Sequence, residues 1–301
     1  MQPSPDTLDD AASDGWDVEQ ITDAALLLDR LRPLIDADPL GTNVTASVAV
    51  AALDGRPQPP GSFWLVVTDA AGAAGGAAMC TTGFEPALTA MPEGAAAALA
   101  DRLHAVSHPM DAVRGDADAT LAFARRWCEL TGGEAARVMA EGVRLLGDLV
   151  EPAGIPGTAR TAVPDDEALV TEWFVDFAAE AHPSRPPSPD AARAHAALFV
   201  RRLAAGQVLL WEDGGAPVSL AGWQVPEPGG LGRIGPVYTP PDRRGQGYAT
   251  GVTAAATRAA LDAGAGGVML HTDLANQVSN GVYARLGYAL VREASTWALT
   301  G

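Results

Sequence analysis

Residues 243–250 have the composition of a loop that holds an anion. They are Arg243, Arg244, Gly245, Gln246, Gly247, Tyr248, Ala249 and Thr250. An alanine-rich stretch from Tyr248 to Gly264 predicts that a helix begins directly after the glycines. The first N–H groups of a helix have no intrahelical partner and lie at the positive end of its dipole, and glycines let those amides approach a pyrophosphate. The segment therefore predicts a phosphate site, and its two arginines add positive charge.

The order of these residues does not fit the two common nucleotide motifs. Gly245 to Ala249 lack the Lys-Ser or Lys-Thr ending of a P-loop. No acidic residue ends a second strand, as a dinucleotide-binding fold requires. A Gly-x-Gly turn before a helix is also common as a plain strand-to-helix connection, so the loop alone leaves a binding role and a structural role open.

A second set of polar residues follows the loop. After a strand predicted at residues 268–272, a short helix carries Asn276, Asn280 and Tyr283. Spacings of four and three residues place these side chains on one helical face. The phenol on that face could donate a proton, whereas the amides can only form hydrogen bonds at neutral pH.

The two segments together resemble the GNAT superfamily of N-acetyltransferases. Arg244-Gly245-Gln246-Gly247-Tyr248-Ala249 matches the family's pyrophosphate pattern Q/R-x-x-G-x-G/A, and Asn276 with Tyr283 matches its second motif. The resemblance covers the C-terminal half. It implies an α/β (α+β) fold with a mixed, mostly antiparallel sheet flanked by helices, in tandem if the N-terminal half repeats it.

The resemblance also implies acetyl-CoA as co-substrate and assigns residues to it. Tyr283 would be the catalytic residue, a general acid for the departing thiolate. The cofactor-binding residues it implies are Val237, Tyr238, Thr239, Arg243, Arg244, Gly245, Gln246, Gly247, Tyr248, Ala249, Thr250, Asn276 and Asn280.

Gly235-Pro236 lies in the middle of a strand predicted at residues 231–238. Proline lacks a ladder donor and occurs in sheets at bulges or edges, so the strand should separate from a neighbour there. In the resembled family the pantetheine arm enters such a gap and bonds main-chain groups, here those of Val237 to Thr239. A bulge without function is the alternative.

The general base is not identified by the sequence. Many members of the family carry a glutamate eleven residues before the first motif position, where this chain has Arg233. Arg233 could bind a carboxylate of the acceptor, whereas the acidic net charge favours a cationic acceptor. A chain of water molecules could also take the proton. The alternative side chains are His271, Asp273, Glu172 and Asp176.

Composition restricts the class of protein. The 301 residues carry a net charge of -17, which argues against nucleic acids and anionic membranes as partners.

Cys80 and Cys128 have no paired spacing, so they predict buried thiols and neither a disulfide framework nor a metal site. An acidic N-terminus and the lack of a long apolar run predict a cytoplasmic protein. All the basic residues other than histidine are arginines, so self-acetylation on a lysine side chain is excluded.

A Pro/Gly-rich linker at residues 151–159 divides the chain into predicted domains 1–155 and 156–301. In the second domain Asp165 should cap the first helix. Its predicted strands are 159–163, 207–212, 218–225, 231–238, 268–272, 288–292 and 296–299, with a hairpin turn at 213–215. Its predicted helices before the phosphate loop are 167–181 and one that starts at Ser188 and Pro189 and ends at Gly206.

Residues 1–155 predict a diverged GNAT-like or accessory domain without a CoA loop. The nearest equivalent, residues 71–76, has no basic residue and predicts a hairpin turn. An unrelated helical domain is the alternative. The predicted elements are helices 18–35, 94–104 and 117–130, an apolar segment 44–53, strands 63–68 and 77–82, and strand-like pairs at 137–150.

Two functions follow from these observations. The first is an acetyl-CoA-dependent N-acetyltransferase, a monomer or homodimer that moves acetyl to a primary amine of a small molecule or a peptide N-terminus by direct attack. The second is a non-catalytic acyl-CoA-binding or sensing protein, suggested by the absence of the family's glutamate. Tyr283 favours the enzyme, because binding alone does not need a phenol beside the thiolate.

Overall fold

The computed structural model describes residues 15–56, 58–181, 186–225 and 230–300. The chain forms two compact units, each of which contains residues from both halves of the sequence. Unit 1 takes its described residues from 1–45, 55–136 and 296–301, and unit 2 from 46–54 and 137–295. The main change of unit thus falls at residue 137. A boundary of functional domains at residue 155 stays a prediction.

The same series of elements occurs twice along the chain. The first series is β1 (Trp16–Ile21), α1 (Ala24–Ala37), α2 (Pro39–Leu53), β2 (Phe63–Asp69), β3 (Ala74–Cys80), β4 (Ala87–Leu88), α3 (Glu93–Ala105), β5 (Ala112–Asp116), α4 (Ala117–Thr131) and β6 (Ala135–Leu146). The second is β7 (Thr158–Thr161), α5 (Glu167–Ala181), α6 (Pro189–Val200), β8 (Val208–Asp213), β9 (Ala216–Gln224), β10 (Leu231–Tyr238), α7 (Tyr248–Asp262), β11 (Gly267–Asp273), α8 (Gln277–Arg285) and β12 (Tyr288–Leu299). Apart from two short 3-10 turns in the second series, the two orders are identical, which confirms the tandem arrangement.

The strands of each unit form a mixed, mostly antiparallel array. In unit 1 the order is β1-β2-β3-β4-β5, and only β4 and β5 are parallel. In unit 2 the order is β6-β11-β10-β9-β8-β7, and only β10 and β11 are parallel. The last residues of β12 belong to unit 1, where Leu299 N donates to Asp111 O at 2.9 Å.

Helices bury apolar side chains against these strands. In unit 1, α3 and α4 supply Leu99, Phe123 and other residues to one core. In unit 2, α7 and α8 pack with Leu270 and Tyr288 in one cluster, and α5 and α6 pack with Leu210 and Tyr238 in another. The clusters place helices on both faces of the unit 2 strands, as the predicted fold class requires.

Several predicted elements are confirmed. Helix α5 and strand β10 have the predicted bounds, and Ser188 caps α6 by accepting from Ala191 N at 3.2 Å. Gly214 and Gly215 form the hairpin turn with positive φ angles of 59° and 80°, as a two-residue turn between twisted strands requires.

The start of the first series is not the helix predicted at residues 18–35. Residues 16–21 pair antiparallel with β2, and α1 begins only after Asp23, whose carboxylate accepts from Leu26 N at 2.9 Å. The apolar residues of β1 fit a helical spacing equally well, so periodicity alone could not separate strand from helix. The strand predicted at 77–82 occupies 74–80 instead.

Four further predictions are not confirmed. The strand-like pairs at 137–150 are one strand, β6, and the strands predicted at 288–292 and 296–299 are one continuous β12. Helix α6 ends at Val200, and turns follow up to Gly206. The prediction that Asp165 caps α5 is not confirmed, because Asp165 and Asp166 lie within a 3-10 turn (Pro164–Asp166) that precedes the helix, and the Asp166 carboxylate closes that turn by accepting from Val163 N at 2.8 Å.

Cys80 is free and buried, and burial raises the pKa of its thiol to about 12. Cys128 is free but only partly buried, so the predicted burial of both thiols holds for one of them. None of the helices in the described ranges is long and apolar enough to cross a membrane.

Candidate active site

Strands β10 and β11 separate at the residues that the sequence indicated. Their parallel pairing runs from Leu231 to Ile234, which is opposite Leu270, and does not continue beyond it. On the other side, the pairing of β10 with β9 shifts register between Ile234 and Val237 and then resumes. One edge of β10 is therefore without a described strand partner from Gly235 onward, which confirms the predicted gap.

The open strand leads into the glycine loop. Gly245 and Gly247 have φ angles of 80° and 87°, which L side chains rarely adopt. Gly247 is the N-cap of α7 and offers no side chain, and the first turn of this helix contains no acidic residue. The first bond of α7 is from Gly251 N to Gly247 O at 3.1 Å, so the amides of residues 248–250 have no intrahelical acceptor.

The two arginines of the loop differ in their contacts. Arg243 is half exposed and forms an ion pair with the adjacent, exposed Asp242. Arg244 donates from Nε to Thr239 O at 2.9 Å and from Nη2 to Glu180 Oε2 at 2.6 Å. Arg244 therefore ties the loop to β10 and α5, and its side chain is already engaged.

Tyr238, at the end of β10, lies among charged groups. Its hydroxyl donates to Glu180 Oε1 at 3.4 Å, and the Arg244 guanidinium lies 5.8 Å from its ring centroid. Burial, followed by the negative charges of Asp176 and Glu180, raises the pKa of this phenol to about 12. Tyr238 therefore stays protonated at neutral pH.

Tyr248 and Thr239 are fixed by contacts within the protein. The Tyr248 hydroxyl donates to Asp213 Oδ2 at 2.5 Å, which holds the first residue of α7 to the end of β8. Thr239 Oγ1 lies 2.8 Å from Ser219 Oγ, and both residues are buried. These contacts fix the two ends of the loop.

The asparagines at the start of α8 position that helix. Asn276 is its N-cap and accepts from Ser279 N at 3.0 Å, so it lies just before the helix and not within it as predicted. Asn280 donates to Asp273 O at 3.0 Å and Leu274 O at 3.2 Å, and its Oδ1 accepts from Arg144 Nη2 at 3.0 Å. Asn276 thus caps α8, and Asn280 holds the helix against the end of β11.

Tyr283 is buried in the same cluster as Ile234 and Leu270, the last residues that pair before the gap opens. Its ring packs edge-on against Tyr288, with centroids 6.3 Å apart. Burial raises the pKa of its phenol to about 12, and the charge of Arg144 acts in the opposite direction. The phenol therefore carries a proton at neutral pH.

The candidates for a general base are dispersed. Glu172 and Asp176 are exposed on α5, and Glu180, which the sequence analysis missed, follows at the same spacing of four residues. Asp273 Oδ1 accepts from Ala275 N at 2.8 Å and so caps a turn. The signal that could have found Glu180 is this repeated spacing of acids.

The corresponding loop of unit 1 is differently built. Between β4 and α3 lie only residues 89–92, where residues 239–247 lie between β10 and α7. Helix α3 has Glu93 in its first turn, and a Cβ added at Gly94 would lie 2.8 Å from Trp16 Nε1. An acid and an indole ring therefore lie at this helix start, and an acid there opposes anion binding.

Unit 1 also lacks the phenol. Asp116 caps α4, and Phe123 stands seven residues after it. Asn276 caps α8 in the same way, and Tyr283 stands seven residues after it. Both aromatic residues are followed by Ala-Arg. This short internal repeat was missed in the sequence, although the shared aromatic-Ala-Arg triplet was visible.

The fold is that of two GNAT-like series of elements in tandem. Residues 168–288 match the model of the acetyltransferase (GNAT) family. This match supports an N-acetyltransferase, which is an acyltransferase enzyme. No curated protein matches the sequence.

Solved structures with the same fold span almost the whole chain. A GCN5-related N-acetyltransferase from Sphaerobacter thermophilus is 18% identical with a TM-score of 0.56, over 94% of this chain and 95% of its own. A tandem GNAT protein from the clavulanic acid biosynthesis pathway is 15% identical with a TM-score of 0.56, over 95% and 99%. A GNAT-family acetyltransferase from Colwellia psychrerythraea is 11% identical with a TM-score of 0.55, over 95% and 100%. At these identities the likeness shows the fold alone.

Proposed function

We propose that unit 2 uses acetyl-CoA to acetylate a primary amine of a small molecule or a peptide N-terminus, by direct attack of the amine. The observation that carries the proposal is the position of Tyr283. Its phenol lies in one buried cluster with Ile234 and Leu270, where β10 and β11 separate, and the open edge of β10 continues into the glycine loop. The proposed proton donor and the proposed anion site would thus border the same opening.

The residues of the loop fit a pyrophosphate. The unpaired amides of residues 248–250 and the two positive-φ glycines form a surface of N–H groups without side chains, and Arg243 adds an exposed positive charge. The main chain of Val237 to Thr239 would bond the pantetheine arm along the open edge. Tyr283 would then lie near the thioester. That Asn276 and Asn280 contact the cofactor stays a prediction, since both side chains already form hydrogen bonds within the protein.

The bound thioester would supply the acetyl group, and the protein would supply a proton and an oriented site. Tyr283 keeps its proton at neutral pH because burial disfavours the phenolate, so it can give that proton to a departing thiolate. Main-chain N–H groups near Val237 and Tyr238 are candidates to stabilise charge on the thioester oxygen. The carboxylates along α5 are candidates to take the proton from the amine, directly or through water.

A second function is favoured by one residue. Arg233 stands where many members of the family carry a glutamate, which suits a protein that binds acyl-CoA without transferring the acyl group. A proton donor in the buried cluster is not needed for that function. The two functions differ in whether acetyl transfer accompanies binding.

The deciding experiment measures free thiol and product mass with the full chain. Purified protein and acetyl-CoA are incubated with amino acids, polyamines, amino sugars and peptides, and each hit is repeated with its tertiary-amine analogue as the matched control. We expect thiol release above hydrolysis and a product heavier by one acetyl group for at least one primary amine. Thiol release that stays at background with every amine, while acetyl-CoA binds, would instead establish the binding protein.

A further inference from the structure

Arg144 lies beside the proposed general acid, although it comes from the first series of elements. It stands on β6, which pairs antiparallel with β11 in unit 2, and its register partner is Leu270. Its Nη2 donates to Asn280 Oδ1 at 3.0 Å and its Nη1 donates to Tyr288 O at 3.4 Å. One guanidinium thus contacts α8 and the start of β12, on both sides of Tyr283 in the sequence.

No carboxylate in the described ranges neutralises the charge of Arg144. Within the described part of the chain it forms no ion pair, and its buried Nε has no hydrogen-bond partner. Leaving a cation partly buried without a counter-charge costs free energy. That cost is notable in a chain with 37 acidic residues against 20 basic ones, because most sites for an arginine would offer a carboxylate.

The strand of the second series that corresponds to β6 has no charge at the position of Arg144. Arg144 is the tenth residue of β6, which begins at Ala135, and Trp297 is the tenth residue of β12, which begins at Tyr288. Trp297 packs against the apolar core of unit 1, where Phe123 takes the place of Tyr283. An arginine therefore accompanies the phenol, and a tryptophan accompanies the phenylalanine. Packing alone does not require the cation.

We infer that Arg144 is a positioning residue for acetyl transfer, which orients α8 through Asn280 and stabilises the negative charge that Tyr283 acquires when it gives up its proton. The inference rests on the proposed function, since it needs Tyr283 to act as the acid. Strand β6 thus gives the first half of the sequence a role in catalysis. The charge of Arg144 already lowers the pKa of Tyr283 against the larger effect of burial, which raises it.

The proposed step transfers one acetyl group to the amine and one proton to the sulfur. The amine nitrogen forms a bond to the acetyl carbon, and the carbon–sulfur bond breaks. The Tyr283 O–H bond breaks as an S–H bond forms, which leaves a phenolate beside the Arg144 guanidinium. The proton lost by the acylated nitrogen returns to the phenolate through water. Arg144 itself neither gains nor loses a proton.

The test is a double-mutant cycle on the full chain. Arg144→Gln is made in the parent and in Tyr283→Phe, and turnover is measured at saturating acetyl-CoA with an amine that the parent acetylates. Arg137→Gln, the same change at an exposed position of the same strand, is the control. A charge that acts on one ionisation by about one pKa unit changes the rate about tenfold.

We expect Arg144→Gln to lower kcat about tenfold in the parent, with little change in KM for acetyl-CoA, and less than about twofold in Tyr283→Phe. Arg144→Lys should recover most of the rate, since it keeps the charge. Equal losses in both backgrounds, or no loss in the parent, would overturn the inference, because a merely structural arginine does not depend on the Tyr283 hydroxyl.

Two further outcomes are distinguishable. If Tyr283→Phe is as active as the parent, the acid assignment itself is wrong and the role of Arg144 falls with it. If Arg144→Gln does not fold, the cycle is run with Arg144→Lys. This variant should lose less kcat, through weakened hydrogen bonds, and the loss should disappear when Tyr283 is already replaced by Phe. A loss that persists there contradicts the inference.

Discussion

Tyr283 and the glycines of the loop show how far single residues could be interpreted from sequence. The sequence predicts a close approach to a phosphate at Gly245 and Gly247, and the positive φ angles of both residues require glycine there. The contacts of Arg144 and Glu180 could not be predicted, because they join residues far apart in the chain: Asn280 with Arg144, and Arg244 with Glu180. Local spacing carries no information about such pairs.

Tyr283→Phe should retain affinity for acetyl-CoA and lower kcat by roughly a hundredfold, the usual contribution of a positioned general acid. The ring stays packed against Tyr288, so folding should hardly change. Acetyl transfer is measured for both forms at saturating acetyl-CoA. A rate within about threefold of the parent would show that Tyr283 only packs α8 against the sheet.

Tyr288→Phe is the matched control for that measurement. The Tyr288 hydroxyl lies 2.7 Å from Thr257 Oγ1 in the same cluster, so its removal breaks one buried hydrogen bond, while Thr257 Oγ1 keeps its bond to Thr253 O at 2.8 Å. We expect a loss of about 1 kcal/mol in the free energy of unfolding, measured by urea denaturation, with much of the transfer rate retained. A rate loss equal to that of Tyr283→Phe would remove the special role of Tyr283.

Gly247→Asp should weaken acetyl-CoA binding by about a hundredfold or more, since it brings a negative charge to the helix start and a Cβ 3.3 Å from Ile155 Cγ1. Gly264→Asp is the control, because Gly264 has a similar φ of 89° at the other end of α7 and nothing within 4 Å of an added Cβ. Calorimetric titration of both variants checks this. Equal affinities would remove the phosphate site from the loop.

At the scale of elements, local signals predicted α5, β10 and the 213–215 hairpin well, because prolines and paired glycines specify their ends within a few residues. The start of the first series failed, because β1 is defined by its partner β2 and not by its own periodicity. Likewise β6 and β12 are single long strands whose polar interruptions suggested breaks. Pairing with distant strands decided these cases.

The turn before α5 offers a test of electrostatics at this scale. Arg160 donates to Asp166 at 2.6 Å and 2.9 Å and to Glu212 at 2.6 Å, so it joins β7, β8 and the start of α5. This guanidinium holds the pKa of Asp166 below its ordinary value. Asp166→Asn removes the charge and keeps an oxygen that can accept from Val163 N.

We expect Asp166→Asn to lower the free energy of unfolding at pH 7 by about 1–2 kcal/mol. Because the folded pKa lies below the unfolded value of about 3.9, this difference is complete above that value and disappears as the pH falls through the folded pKa. Urea denaturation across pH 3 to 7 measures it, with the exposed Asp165→Asn as control. A difference that does not depend on pH would contradict the assignment to charge.

At the scale of the whole molecule, the chain consists of one element series used twice with different residues at its two key positions. Phe123 and Glu93 stand in the first series where the second has Tyr283 and the open start of α7. The sequence indicated the tandem arrangement only weakly, because the shared order of elements survives with little shared sequence. It also gave no sign that β6 belongs with unit 2, since sheet order is set by long-range pairing.

The central claim is that unit 2 alone carries the acetyl-CoA site. Titration calorimetry of the full chain with acetyl-CoA tests it most directly, with Gly247→Asp titrated in parallel. The account predicts one molecule bound per parent chain and an affinity lowered by about a hundredfold or more in Gly247→Asp, with no second site, because the short loop of unit 1 has Glu93 and Trp16 at its helix start. Two molecules per parent chain, or parental affinity in the variant, would contradict it.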